Sequence, residues 1–224
     1  MMKKTIISLF ITITVILTLY TPHTITINKT NTLDNKRIVI DPGHGGKDCG
    51  AKYGDLHESD LNLKISFALK KELESRGATV YLTRTDDQDM TKRDYNYSKA
   101  DDMYLRAIKI DEYQPDLFLS IHLNSAVSSA WGSQVFYFDG SIQGEKLAEC
   151  IHNSMKKVTG TKKSISSCHF QVLRATSSLG VLVECGFISN ANERGQLKNS
   201  KYHKKLADCI SDGIEEYIKT LIII

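Results

Sequence analysis

Short apolar segments alternate with longer segments of helical periodicity along most of the 224-residue chain. The short segments are rich in β-branched residues and are bounded by glycine, proline or polar residues, which predicts strands. These strands lie at 38–41, 78–83, 116–121, 132–138, 171–174 and 181–184. The longer segments place apolar residues on one helical face, and they lie at 59–76, 99–112, 142–158 and 200–219. Strands that alternate with helices predict a single α/β domain, in which helices cover both faces of a mostly parallel central sheet.

The first 24 residues have the features of an export signal or a membrane anchor. A basic start at Met1–Lys4 precedes the uncharged, apolar stretch Thr5–Tyr20, which is typical of such segments. No small-residue cleavage motif follows, and this favours an anchor that is not removed. Basic residues ahead of the segment predict that the rest of the chain lies outside the cytoplasm. Residues 25–36 are polar and are expected to form a tether to a catalytic domain at 37–219.

The composition excludes some classes of protein. The net charge of +3 and the pI near 8.5 are mild, and no basic stripe carries interleaved aromatic residues, so we expect no nucleic-acid binding. The five cysteines form no C-x-x-C pair, so neither a disulfide framework nor a cysteine-rich zinc site is indicated. Two of them, Cys49 and Cys185, lie near the candidate site, and the sequence assigns them no role.

Two histidines and a glutamate lie at the carboxyl ends of predicted strands. His44 lies on a glycine-rich loop after the first strand, His122 follows the strand at 116–121, and Glu184 ends an apolar strand. In a mostly parallel sheet these ends meet at one edge, where active sites form. With Glu58 at the start of the first helix, the two histidines could complete the ligand set of a hydrolytic zinc site. Glu184 would then transfer protons, since burial raises a carboxyl pKa towards the useful range.

Four motifs contain these residues in order along the chain, namely DPGHGG, GDLHESDLNL, SIHLN and VLVECGFISN. Over roughly residues 37–219 they resemble the motifs of the zinc-dependent N-acetylmuramoyl-L-alanine amidases of the Amidase_3 type. The resemblance implies an α/β fold and one Zn²⁺ ion held by His44, Glu58 and His122, with Glu184 as the catalytic residue. It also implies hydrolysis, in peptidoglycan, of the amide between the lactyl group of N-acetylmuramic acid and the L-Ala of the stem peptide.

Two further polar residues are candidates for contacts with this substrate. Asn124 lies two residues after His122 and could orient a ligand or touch the substrate. Arg174 could bind a carboxylate of the stem peptide, since a guanidinium group suits bidentate carboxylate recognition. An asparagine in a strand-end turn and a solvated arginine are the open alternatives.

The organisation of the chain resembles one subgroup of the family. The segment between His122 and Trp131 is too short for the autoinhibitory helix of some members, and we expect no appended wall-binding domain. An anchored enzyme of this kind resembles the germination-specific amidases of the spore cortex, which remove stem peptides so that muramic-δ-lactam can form. One hypothesis is that the domain, without a wall-binding module, relies on an accessory protein that positions or activates it.

Two other functions stay open from the sequence. The first is another zinc amidohydrolase of the cell wall, either a peptidase or a deacetylase. The second is a non-catalytic wall-binding protein, which predicts that a ligand or the catalytic glutamate is missing. All four residues are present, and analysis of the reaction products separates the first alternative from an amidase.

Overall fold

The computed structural model describes residues 31–91 and 97–222. Their strands are β1 (Arg37–Pro42), β2 (Lys52–Tyr53), β3 (Leu56–His57), β4 (Thr79–Leu82), β5 (Leu117–Asn124), β6 (Gln134–Phe138), β7 (Ser166–Cys168) and β8 (Gly180–Phe187). Their helices are α1 (Glu58–Ser75), α2 (Lys99–Glu112), α3 (Ile142–Thr159), α4 (Gln171–Ala175), α5 (Ala191–Leu197) and α6 (Ser200–Ile222). The predicted signal or anchor at 1–24 lies outside the described residues. Among the described residues, no helix has the length and apolar character needed to cross a membrane.

Six of the strands form one sheet in the order β4-β1-β5-β8-β6-β7. Strands β4, β1, β5 and β8 are parallel to one another, β6 runs antiparallel to β8, and β7 is parallel to β6. The predicted mostly parallel sheet is therefore confirmed. Because β5 lies between β1 and β8, the carboxyl ends of these three strands lie side by side. The remaining strands, β2 and β3, form a short hairpin ahead of α1.

Alternate residues of the central strands point to opposite faces of the sheet, and helices cover each face. Ile38, Leu119 and Val183 point into the larger core, which contains residues of α1, α3 and α6. Phe118 and Leu182 point into the smaller core, which contains residues of α2 and α4. All five side chains are buried, as expected for a parallel sheet that is covered on both sides.

Residues 171–174 form a helix, α4, so the predicted strand at this position is wrong. Val172 and Leu173 are both buried in the smaller core. Arg174 N donates to Phe170 O over 3.0 Å, which closes a helical turn. A four-residue apolar segment fits the period of a strand and of a helix about equally well, so its packing against the rest of the fold decides its structure.

The start of the domain and the boundaries of several elements also differ from the predictions. Leu33, within the predicted tether, is fully buried in the larger core, so packed residues begin before β1. Helix α1 begins at Glu58 without a side-chain cap, and not at Ser59 or Asp60, because the β2–β3 hairpin leads directly into it. Strand β8 continues past Glu184 and ends at Phe187.

Strand β7 and helix α5 have no counterpart among the predicted elements. β7 has the sequence Ser-Ser-Cys, which carries no apolar pattern. α5 carries a recognisable signal, because the side chain of Asn190 caps it by accepting hydrogen bonds from the N–H groups of Asn192 and Glu193. The sequence could therefore have predicted α5 from its cap, whereas β7 forms only because it pairs with β6.

Candidate metal centre and catalytic site

The carboxyl edge of the central strands brings the four motif residues together. β1 leads into the loop that carries His44, and His122 lies near the end of the neighbouring strand β5. Glu184 of β8 is paired in register with His122. Glu58 is the first residue of α1 and follows the β2–β3 hairpin. Three strands and the start of one helix therefore supply the candidate site.

Three of these residues form a cluster that fits a metal ion. The ligand atoms of His44, Glu58 and His122 all lie within 4.8 Å of one another. Glu58 Oε1 lies 3.2 Å from His44 Nε2 and 3.1 Å from His122 Nδ1. The imidazole rings meet edge to face, with centroids 4.8 Å apart. Two imidazole nitrogens and one carboxylate oxygen that converge in this way fit zinc with an open position for water or substrate.

Two glycines make this close approach possible. A Cβ atom on Gly43 would lie 2.2 Å from Cε1 of His122, and a Cβ atom on Gly50 would lie 2.6 Å from Glu58 Oε2. Gly50 also has a φ of +66°, in the left-handed region that glycine adopts most readily. A side chain at either position would displace a member of the cluster.

Buried arginines hold the loop that carries His44. His44 has a φ of 61°, which is uncommon for a residue with a side chain. Arg106 is fully buried, and it donates to Pro42 O at 2.8 Å and to His44 O. Its charge is balanced by Asp41, whose Oδ1 lies 2.9 Å away, and Arg84 donates to Pro42 O at 2.9 Å. Neither arginine is recognisable from the sequence, because a charged residue is normally expected on the surface.

Glu58 is buried and surrounded by hydrogen-bond donors. Oε1 accepts from Leu123 N at 3.1 Å and from Asn62 Nδ2 at 3.2 Å, and Oε2 accepts from Ala51 N at 2.8 Å. Burial alone would raise the pKa of Glu58, but hydrogen bonds and charge from the two histidines outweigh burial and hold this pKa well below its usual range. Glu58 is therefore ionised near neutral pH, as a carboxylate ligand must be.

Glu184 has the opposite environment. Its Oε2 is buried and has no hydrogen-bond partner among the described residues. Burial raises the pKa of Glu184 to about 7; the charge of Glu58 adds to the rise, and the two histidines oppose it. A carboxyl group that titrates near neutral pH, with a free oxygen, is suited to accept and return a proton.

A cleft of about 320 Å³ opens beside these residues, and His44, His122 and Glu184 line part of it. Much of the remaining lining is apolar and consists of Met103, Phe170, Val172 and Leu182. Phe170 is 42% exposed and is therefore accessible to a ligand. Clefts of about 390 and 620 Å³ lie elsewhere on the described surface, and they contain none of the four motif residues.

The two predicted substrate contacts lie outside this lining. Asn124 is the last residue of β5, and its carbonyl group accepts from Ile188 N at 3.0 Å. Arg174 is exposed on α4 and donates to Gln171 Oε1 at 2.8 Å. Gln171 lines the cleft, so Arg174 lies one partner away from it. A role of Asn124 or Arg174 in substrate binding stays a prediction.

The two cysteines near the site differ in their environments. The Cys49 thiol donates to Gly50 O at 3.5 Å and is half-buried. Cys185 is fully buried in the larger core, and burial raises the pKa of its thiol well above the usual value. Cys185 is therefore a packing group, since a reactive cysteine needs a lowered pKa and solvent access.

An open α/β sheet that carries two histidines and a glutamate at its carboxyl edge, beside a second, buried glutamate, is typical of a metal-dependent hydrolase. The family model described as N-acetylmuramoyl-L-alanine amidase (Amidase_3) matches residues 38–216. The chain therefore belongs to the N-acetylmuramoyl-L-alanine amidase family, as its four motifs predicted.

Individual proteins that are similar to this chain are also named as amidases. A germination-specific N-acetylmuramoyl-L-alanine amidase of Bacillus subtilis is 35% identical over 191 residues, which cover 83% of this chain and 81% of the relative. The probable cell wall amidase LytH of Staphylococcus aureus is 36% identical over 193 residues, which cover 84% of this chain and 60% of the relative. The CwlD amidase of Clostridioides difficile, solved in complex with the GerS lipoprotein, has a TM-score of 0.76 and 32% identity; the match covers 83% of this chain and 100% of that chain.

Proposed function

We propose that the protein is a zinc-dependent cell-wall amidase, which hydrolyses the amide between the lactyl group of N-acetylmuramic acid and the L-Ala of the stem peptide. One observation carries the proposal. The carboxyl group of Glu184, one oxygen of which has no partner among the described residues, lines the same cleft as two members of the His44, Glu58 and His122 cluster. Membership of the amidase family supports the choice of the bond.

His44, Glu58 and His122 would hold the metal. When bound, zinc supplies a Lewis acid that activates a water molecule and polarises the scissile carbonyl group. The two histidines are neutral as ligands, so Glu58 is the only protein ligand that brings a negative charge. With zinc bound, a site of this composition would keep a net positive charge and would favour the oxyanion that develops during amide hydrolysis.

Glu184 would transfer the protons. Its pKa of about 7 lets it accept a proton from the attacking water and return that proton to the leaving amine, which becomes the free amino group of L-Ala. Within the described part of the chain, Oε2 has no hydrogen bond that this transfer would break. The apolar part of the cleft, including Phe170 and Val172, would pack against the substrate and limit access of bulk water.

We further propose that residues 1–24 serve as a signal or membrane anchor, that a tether shorter than the predicted 25–36 follows, and that the catalytic domain of 37–219 includes the packed segment ahead of β1. The enzyme would then act outside the cytoplasm, and the names of the cell wall amidases among its relatives support this location. Asn124 and Arg174 would contact the substrate at the margin of the cleft.

Within the cell wall, we propose the spore cortex as the place of action, where removal of stem peptides allows muramic-δ-lactam to form. The name of the germination-specific relative of Bacillus subtilis supports this role. An accessory protein would position or activate the enzyme. The structure of the CwlD amidase in complex with the GerS lipoprotein supports a partner of this kind.

Mass spectrometry of the reaction products tests the proposed reaction. The full chain is incubated with purified peptidoglycan, with and without a chelator, beside the variant Glu184→Ala. We expect stem peptides with a free amino group on L-Ala, and none of them after chelation or with the variant. Release of acetate would identify a deacetylase, and new amino groups elsewhere in the stem peptide would identify a peptidase. No cleavage by the zinc-loaded chain, with substrate bound, would identify either a wall-binding protein or an enzyme that depends on the proposed accessory protein, and a cell extract that restores cleavage by the wild type but not by Glu184→Ala would identify the enzyme.

A further inference from the structure

Asp48 lies on the side of His44 that faces away from the metal cluster. His44 Nε2 faces Glu58 Oε1 at 3.2 Å, whereas His44 Nδ1 lies 2.9 Å from Asp48 Oδ2. Asp48 lies outside the four motifs, and no step of the proposed reaction uses it. One histidine of the cluster therefore has a carboxylate at each ring nitrogen.

The carboxylate of Asp48 is itself held in place. Oδ1 accepts from Gly50 N at 3.0 Å, and Lys99 Nζ lies 3.1 Å from Oδ2. The backbone of Asp48 exchanges two hydrogen bonds with Gly45, with N···O distances of 2.7 and 3.1 Å. The fixed backbone, the hydrogen bond to Oδ1 and the charge of Lys99 together hold the Asp48 carboxylate beside His44.

The chemistry of imidazole gives this contact a consequence. A neutral imidazole carries one ring proton, and an ionised carboxylate accepts hydrogen bonds but cannot donate them. With a metal ion on Nε2, the one ring proton of a neutral His44 would lie on Nδ1, where it would face the Asp48 carboxylate 2.9 Å away. In carboxylate–histidine–zinc triads, loss of the outer carboxylate typically weakens metal binding roughly 10–100-fold.

His122 is oriented by a different means. Its Nδ1 faces Glu58 Oε1, and among the ion pairs of residues 31–91 and 97–222 no second carboxylate pairs with its ring. Its ring packs instead over Gly43, where there is no space for a Cβ atom. The two histidines thus present different nitrogens to the cluster, and only His44 has its outer nitrogen held by a charged partner.

We propose that Asp48 is a positioning residue for metal binding, whose carboxylate holds the ring of His44 so that Nε2 is the ligand atom. Lys99 anchors this carboxylate from the solvent side. The inference rests on the proposed zinc site and deepens it, because it adds the outer partner of one ligand.

Zinc titration of the metal-free full chain tests the inference. The dissociation constant for zinc is measured by competition with a chromophoric chelator for the wild type, Asp48→Ala and Asp48→Asn. We expect Asp48→Ala to weaken zinc binding about 10–100-fold. Asp48→Asn keeps one acceptor oxygen and should therefore recover part of the lost zinc affinity. A role of Asp48 in chain folding alone would not predict this recovery.

Asp111→Ala is the matched control. Asp111 also holds a turn with its carboxylate, which accepts from Ser177 N at 2.9 Å and from Ser178 Oγ at 2.7 Å, but it has no contact with the cluster. This variant should lower the melting temperature of the metal-free chain and leave its zinc affinity unchanged. If Asp48 had a purely structural role, Asp48→Ala would behave in the same way.

The outcomes separate this inference from the proposed function. A wild-type chain that does not bind zinc overturns the zinc site itself. A wild-type chain that binds zinc, together with a folded Asp48→Ala that binds it as tightly, overturns only the role of Asp48. If circular dichroism shows that Asp48→Ala is unfolded, Asp48→Asn decides in its place, and zinc binding at the wild-type level by that variant overturns the inference.

Discussion

Glu58 and Glu184 both adjoin His122, yet the fold surrounds them with opposite environments. Glu58 Oε1 lies 3.1 Å from His122 Nδ1, and its carboxylate accepts further hydrogen bonds from Leu123 N and Ala51 N. Glu184 is paired with His122 across β5 and β8, but its buried Oε2 has no partner among the described residues. The same side chain is therefore saturated with donors at one position and left without them at the other.

This difference separates two chemical roles. The histidines overcome burial and lower the pKa of Glu58, whereas burial raises the pKa of Glu184 to about 7. Neighbouring groups whose pKa values are pushed apart divide into a permanently charged group and one that exchanges protons. Glu58 suits a metal ligand, and Glu184 suits a general base and acid.

Glu184→Gln should have the largest effect on turnover. Glutamine preserves the shape of the side chain but cannot take up a proton, so kcat should fall about 10²–10⁴-fold, the usual contribution of general acid–base catalysis. Zinc affinity should stay at the wild-type level, because Glu184 is not one of the three clustered ligands. Turnover of peptidoglycan fragments and chelator competition measure the two quantities. A variant that keeps most of its hydrolysis would remove Glu184 from the mechanism.

The same substitution at Glu58 should act on the metal instead. Glu58→Gln loses the only negative charge in the cluster, so zinc affinity should fall by more than the roughly 10–100-fold that is typical for loss of an outer partner. Activity should return in part at high zinc concentration, in contrast to Glu184→Gln. Normal zinc binding by this variant would contradict the assignment of Glu58 as a ligand and remove the distinction between the two glutamates.

The features that leave a pattern or a motif in the sequence were predictable. Helix α2 has the predicted bounds, Lys99–Glu112, because its apolar residues share one helical face and a proline follows the helix. The parallel sheet followed from the alternation of strands and helices. His44, Glu58, His122 and Glu184 were predicted from four ordered motifs, and the sheet topology explains why residues so far apart in sequence meet at one edge.

The remaining parts depend on partners that a single sequence does not reveal. Arg106 resembles a surface residue of an amphipathic helix, and only the fold shows that it lies beneath the loop of His44, 64 residues from its acceptor Pro42. Asp48 resembles a turn residue until the ring of His44 is placed beside it. The helix at 171–174 was missed because four residues are too few to define a period.

Arg106→Met tests the support of the loop that carries His44. The substitution leaves Asp41 and Asp102 as buried carboxylates without their cation, so the free energy of unfolding should fall by about 3–5 kcal/mol. Arg76→Met is the control, because Arg76 pairs with partly exposed acidic residues, and the loss of such pairs costs about 0–1 kcal/mol. Urea unfolding of the metal-free chain measures both. Equal losses would mean that the buried pairs contribute no more than surface pairs.

The smallest effect should appear in the pH dependence of stability of the metal-free chain. For Glu184 the folded pKa of about 7 lies above the usual 4.5, so its contribution to stability is complete below about pH 4.5 and is lost as the pH rises through 7. For Glu58 the folded pKa is lowered from 4.5. Its contribution is therefore complete above about pH 4.5 and is lost on acidification.

The two glutamine variants distinguish the opposite pH dependences of these two contributions to stability. Between pH 4.5 and 7, Glu184→Gln should gain stability relative to the wild type as the pH rises, by on the order of 3 kcal/mol, since one pKa unit corresponds to about 1.4 kcal/mol. Glu58→Gln should instead approach the wild type only on acidification. Thermal unfolding in the presence of a chelator, at several pH values, measures both curves. Parallel curves for the wild type and Glu184→Gln would mean that Glu184 titrates like an exposed glutamate, and position alone would then distinguish the two carboxylates.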